Sequence, residues 1–186
     1  LSHPSIQSLA TKPQHMEMSA SMYANPWNPS PIVNDLDVVF LSATEVDVDF
    51  NVNVITDSNG ICMGASGGHS DTAAGAALSI IMCPVTRGRL PMIRDHVQNV
   101  ITPGESIDVI VTDRGIAVNP QRTDLLEKLQ GSGLPLKTMQ ELQEIAYSFV
   151  GKPEEIKLSQ DPDDIVAVVE YRDGSIIDVI RKPVYE

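Results

Sequence analysis

Thirteen consecutive residues, Gly64 to Ala76 (GASGGHSDTAAGA), carry almost no side-chain bulk, and they lie between an alternating segment, Glu45 to Val54, and an apolar one, Leu78 to Val85. Such a run offers bare backbone, and free backbone N–H groups bind anions and oxyanions. The pattern predicts a turn at Gly67-Gly68 entering a short helix through Ser70-Asp71-Thr72, with unpaired amides facing whatever lies above them. A tight turn with close helix packing is the other reading of the glycine pair. The spacing of Gly64, Gly67 and Gly68 does not match the Gly-x-Gly-x-x-Gly dinucleotide fingerprint.

The segments around the run read as strands. Asp37 to Leu41 predicts a short buried strand, Leu78 to Val85 a central strand ending at Pro84, and Ile107 to Thr112 another, turned by Asp113-Arg114-Gly115 into Ile116 to Val118. Two helices follow: Asp124 to Gln130, capped by Gly131, and Thr138 to Val150, which opens on a capping box with Glu141 and closes at Gly151. Ile165 to Tyr171 and Ser175 to Ile180 flank Arg172-Asp173-Gly174, a strong hairpin signal. The fold class is therefore α/β, a mixed open sheet flanked by helices, with a C-terminal β-hairpin. Residues 1–34, rich in Ser, Pro, Asn and Met, are expected to form a loop-rich segment before this α/β domain (35–186), with Ile6 to Ala10 read as one end of a helix expected to start upstream.

Within Glu45 to Val54, strict alternation puts Glu45, Asp47, Asp49, Asn51 and Asn53 on one face and Val46, Val48, Phe50, Val52 and Val54 on the other. Five acids and amides in a row are costly to bury without partners, so that face meets water or lines a site. His69 has the only side chain in the glycine-rich run that titrates near neutrality, which makes it a candidate general base or oxyanion donor beside the structural alternative. Arg87 and Arg89 follow the carboxyl end of the Ile80 to Val85 strand, where ligands of open α/β sheets tend to lie. An extended backbone there would aim both guanidinium groups to one side, a fork suited to paired carboxylates.

Charge narrows the function classes. The 186 residues carry 13 basic and 25 acidic side chains, a net charge of −12, which disfavours a nucleic-acid partner and requires local arginines for any anionic ligand. Cys62 and Cys83 have no paired spacing and read as buried free thiols, which suits a reducing, cytoplasmic compartment. The histidines have no metal-ligand spacing, and no apolar run approaches bilayer length.

Several blocks together resemble the α subunit of citrate lyase, the citrate:acyl-carrier CoA-transferase subunit. They are Ser42 to Val54, Ser58 to Ile61, Gly64 to Ala76, Arg87 to Pro91, Thr102 to Val109, Thr112 to Pro120 and Tyr171 to Ile180. The resemblance implies the CoA-transferase (NagB/RpiA-like) fold, a chain that is the last third or so of a two-halved subunit, and a fragment inactive without the rest. It implies as partners a citryl-lyase (β) subunit and an acyl carrier protein (γ). It implies no covalent cofactor, the CoA-derived prosthetic group of the carrier serving as substrate. In the wider CoA-transferase superfamily, Gln-Val-Asp-x-x-Gly-Asn-Val-Asn precedes a Gly-Gly-Phe loop, and Glu45-Val46-Asp47, Asn51-Val52-Asn53 and Gly67-Gly68-His69 resemble these.

Two departures matter. Phe50 replaces the turn glycine, leaving open whether Glu45 to Val54 is one strand or a hairpin folded near Val48-Asp49. Ser58 stands where a nucleophilic glutamate would, so a glutamyl-thioester route has no support. The implied chemistry is attack of a citrate carboxylate on an acetyl thioester, giving a mixed anhydride and a thiolate that attacks the citryl carbonyl and releases acetate. Gly67, Gly68 and His69 would serve the oxyanions, while Ser66, Arg87, Arg89, Glu45, Asn51 and Asn53 would hold or orient substrate. A non-catalytic metabolite-binding or assembly domain on the same scaffold is the alternative.

Overall fold

The computed structural model describes residues 2–184. The N-terminal segment contains helices α1 (His3–Thr11) and α2 (Ala20–Ala24) and a 3₁₀ turn at Ile32–Asp35, so it is more ordered than its composition suggests. Strand β1 (Val39–Ser42) is followed by β2 (Glu45–Asp47) and β3 (Val52–Asn53), then by helix α3 (His69–Gly75) and β4 (Ser79–Met82). Three two-residue strands come next, β5 (Thr86–Arg87), β6 (Leu90–Pro91) and β7 (Ile93–Arg94), and then β8 (Val109–Val111) and β9 (Ile116–Val118). Helices α4 (Thr123–Leu129) and α5 (Met139–Val150) precede β10 (Ile165–Glu170) and β11 (Ile176–Arg181).

The main sheet has the order β1-β4-β8-β9, parallel across the first three strands and antiparallel at the last. One register line, Leu41, Ile81, Ile110 and Ala117, runs across its inner face, with Ile81 and Ile110 fully buried. Each such isoleucine contributes roughly 1.5–3 kcal/mol through removal of apolar surface from water. The core continues into α3 through Ala73, into α5 through Met139, Leu142 and Ala146, and into a second sheet, β3-β2-β7, through Val46, Val52 and Ile93. β10 and β11 pair antiparallel around Arg172-Asp173-Gly174.

Helix α5 begins where its capping box predicts. Thr138 Oγ1 accepts the Glu141 amide at 3.1 Å while Glu141 Oε2 accepts the Thr138 amide at 2.7 Å.

Three expectations need correction. β1 is an edge strand and not a buried one: Phe40 is 64% exposed, and its neighbour on that face beyond Ser42, Met82, is 53% exposed. The Arg87-Gly88-Arg89 run is not extended, because β5 and β6 fold on one another with Gly88-Arg89 as the turn. Cys83 is buried as expected, but Cys62 is exposed.

The open question at Glu45 to Val54 is decided in favour of a hairpin. β2 and β3 pair antiparallel, Glu45 opposite Asn53 and Val46 opposite Val52. Asp47 makes the turn: its Oδ1 accepts the amides of Asp49 and Asn51 at 3.0 and 2.9 Å, and its carbonyl accepts the Phe50 amide. Phe50, where the resemblance leads one to expect a glycine, has φ 67°, a left-handed conformation unfavourable for a bulky residue, and its ring is buried in the core, which offsets the strain. The turn is held from behind by Gly104, where a Cβ would come within 2.0 Å of the Asp49 carbonyl oxygen.

Candidate functional site

The glycine-rich run forms the expected turn and short helix. Gly67 has φ 52°, which glycine alone adopts without strain, and Gly68 is the residue before α3. The Ser66 carbonyl accepts the His69 amide at 3.1 Å, and the Gly68 carbonyl accepts the Thr72 amide and hydroxyl at 2.9 and 2.7 Å. The Ser66 and Gly68 carbonyls are thus engaged. The amides of Gly67 and Gly68 have no acceptor among the described residues, and both residues are exposed with open space above them.

His69 anchors this turn. Its ring is buried, with Nε2 2.9 Å from the Ser42 carbonyl at the carboxyl end of β1 and Nδ1 2.7 Å from Thr102 Oγ1. A carbonyl only accepts, so Nε2 carries the proton and Nδ1 accepts the threonine hydroxyl. Burial pushes the imidazole pKa below its ordinary value and keeps the ring neutral, against a smaller opposing effect of the Ser42 carbonyl. Both nitrogens are therefore spent inside the protein, and the ring ties the glycine turn to the main sheet.

Glu45, Asn51 and Asn53 also turn inward. Glu45 is fully buried; it pairs with Arg94 Nη1 at 2.7 Å and accepts from Ser58 Oγ, Asn53 Nδ2 and the Gln98 amide at 2.5, 3.1 and 2.9 Å. Asn53 Oδ1 accepts the amides of Ile55 and Thr56, and Asn51 bridges Asp47 Oδ2 and the Gly104 amide. Burial raises the Asp47 pKa above the ordinary carboxylate value, opposed in part by its bonds to Asn51, Val97 and Asp49. Four members of the polar row turn inward while Asp49 stays exposed: folding the hairpin sets Glu45, Asp47, Asn51 and Asn53 against one another and sets Glu45 against Arg94. These three residues are a framework for the turn, a different role from the substrate contacts expected of them.

Ser66, Gly67 and Gly68 line a cleft of about 550 Å³ whose other walls come from distant stretches: Tyr23 and Trp27 near the N-terminus, Asp71 on α3, and Tyr171 and Arg172 at the end of β10. Trp27 is 78% exposed. Arg87 and Arg89 are exposed and do not line it, and Arg87 Nη2 donates to the Ala43 carbonyl at 3.3 Å. Sequence reasoning missed two residues here. Arg94 was signalled only indirectly, by the need of a buried Glu45 for a cation, and Arg172 was absorbed into a hairpin signal.

Taken together, these features define an α/β protein whose glycine loop, pinned at the carboxyl end of a parallel strand, opens on a cleft. The family model for the citrate lyase alpha subunit (CitF) matches residues 2–183, and the chain belongs to that family. It is 54% identical over 176 residues to the citrate lyase alpha chain of Klebsiella pneumoniae, covering 95% of this chain and 34% of the relative. To the Escherichia coli K12 alpha chain it is 52% identical over 176 residues, covering 95% and 34%. A solved structure described as the alpha subunit of citrate lyase from Streptococcus mutans in complex with citrate superimposes with a TM-score of 0.93 at 48% identity, covering all of this chain and 36% of that one. The chain spans about a third of the length of the curated relatives it matches.

Proposed function

We propose that this chain is part of a citrate CoA-transferase on the CoA-transferase (NagB/RpiA-like) fold, exchanging acetyl for citryl on an acyl-carrier thiol. A citrate carboxylate attacks the acetyl thioester, the thiolate leaves, and it then attacks the citryl carbonyl of the mixed anhydride to release acetate. Each attack builds an oxyanion. The observation that carries the site is the pair of unpaired amides at Gly67 and Gly68, residues that line a cleft, beside bonded Ser66 and Gly68 carbonyls. Donors placed in advance where charge develops are worth about 3 kcal/mol each. Ser66 lines the same cleft as a substrate contact, and His69 acts by position, holding the turn to β1. Arg87 and Arg89, outside the cleft, are assigned no step.

The substrate is the CoA-derived group of a carrier protein, with citryl-lyase and carrier subunits as partners in the cytoplasm. The exposed apolar face at Phe40 and Met82 favours a second role in the same chain, assembly against other protein mass, because parallel sheets are ordinarily covered on both faces.

The test is acyl exchange with acetyl-CoA and citrate, followed as citryl thioester and acetate, on this chain and on a polypeptide of the relatives' full length. Exchange by either supports the reading, and exchange by neither leaves the assembly role. In whichever form is active, Gly68→Pro, which deletes one amide proton, lowers turnover about 100-fold. Undiminished turnover in a folded variant removes Gly68 from the chemistry.

A further inference from the structure

The cleft beside Gly67 and Gly68 has three charged residues in its lining, Asp71, Glu170 and Arg172. Arg172 is its one cation among the described residues, in a protein of net charge −12. It sits at the start of the β10–β11 turn, fixed by the Tyr171 amide on the Ser175 carbonyl at 2.8 Å and the Gly174 amide on the Tyr171 carbonyl at 2.9 Å. Tyr171 is held in turn by a 3.2 Å contact between its hydroxyl and Ser106 Oγ. The Arg172 side chain is 15% exposed, and its nearest charged partner is Asp71 Oδ1, 3.6 Å from Nε. That separation is an ion pair but too long for a hydrogen bond, and Nε is buried with no hydrogen-bond acceptor. A largely buried guanidinium whose Nε has no acceptor is unusual unless something else completes it.

We propose that Arg172 is the carboxylate-reading residue of the cleft, gripping a non-reacting carboxylate of citrate while another carboxylate of the same molecule lies at the Gly67 and Gly68 amides. This rests on the acyl-exchange reading above and assigns to Arg172 the role that sequence spacing suggested for Arg87 and Arg89. The planar guanidinium matches two carboxylate oxygens at once, which a lone lysine cannot do. Removing it would leave only Asp71 and Glu170 as charges in the lining, a cleft that repels an anion. Asp71 competes for the same cation and sets how tightly citrate is held.

Isothermal titration of citrate into this 186-residue chain tests the assignment, with Arg172→Gln, Arg172→Lys and Asp71→Asn beside wild type and circular dichroism to confirm folding. Wild type binds citrate, Arg172→Gln weakens it about tenfold or more, and Arg172→Lys recovers only part. Should Arg172→Gln fail to fold, Asp71→Asn decides: tighter citrate binding supports the assignment, and unchanged or weaker binding overturns it. Inorganic phosphate titrated in parallel separates the two sources of an Arg172 ligand, and an Arg172-dependent phosphate affinity above that for citrate overturns the carboxylate. An unchanged citrate affinity in folded Arg172→Gln, or no citrate binding by the wild-type chain, overturns the assignment while leaving acyl exchange to its own assay.

Discussion

Replacing Arg94 by methionine removes the positive half of an ion pair that has almost no access to water. Glu45 is 0% and Arg94 6% exposed, with 2.7 Å between Nη1 and Oε1. The orphaned carboxylate would keep three neutral donors, from Ser58, Asn53 and the Gln98 amide. Breaking a buried pair from one side costs about 3–5 kcal/mol, and the three remaining hydrogen bonds place this case near the lower end, about 3 kcal/mol. Glu45→Gln strands the guanidinium instead and costs a similar amount. The double variant Glu45→Gln/Arg94→Met buries neither charge, so its loss falls short of the sum of the singles by at least about 1.5 kcal/mol. Urea unfolding followed by far-ultraviolet circular dichroism measures all four proteins, with a constant slope showing that the transition has kept its character. A loss below about 1 kcal/mol in Arg94→Met, or strict additivity in the cycle, refutes the claim that this pair organises the hairpin of β2 and β3.

Two further outcomes follow from buried titratable groups. His69 is held neutral with its pKa below the ordinary 6.5, so the unfolded chain binds the proton first on acidification. Its contribution is complete above about pH 6.5 and is lost as pH falls from there toward the folded value. The stability difference between wild type and His69→Gln, which keeps one donor and one acceptor, therefore shrinks between pH 7.5 and about pH 5 in urea titrations, and a pH-independent difference contradicts the neutral assignment. Burial pushes the Cys83 thiol up to about 12, while Cys62 is exposed. A thiol reagent at neutral pH thus labels one equivalent in the native chain and two in urea, with peptide mapping placing the first on Cys62; native labelling of Cys83 would show that β4 opens to solvent.

The hairpin at Glu45 to Val54 illustrates how far local pattern reaches. A straight strand and a strand folded about a three-residue loop place the same residues on the same face, so alternation is blind to the difference. What distinguishes them is the Asp47 carboxylate capping two amides and Phe50 accepting a left-handed backbone in exchange for burial. The resemblance pointed to that turn although the glycine it leads one to expect is missing here. The capping box of α5 was legible because both of its bonds lie within four residues. Arg94 was not, since it meets Glu45 across 49 positions of chain.

Sequence alone determined the glycine turn, α3, the ends of α5 and the longer strands of the main sheet and the C-terminal hairpin, because each depends on backbone stereochemistry and on neighbours a few residues apart. Tertiary structure alone decided that His69 is an anchor, that Glu45, Asp47, Asn51 and Asn53 join an inward network, and that residues near positions 27, 67 and 172 share one cleft. Those outcomes depend on which distant side chains meet once apolar surface is buried, and the polar groups carried inside must then find whatever partners the packing supplies.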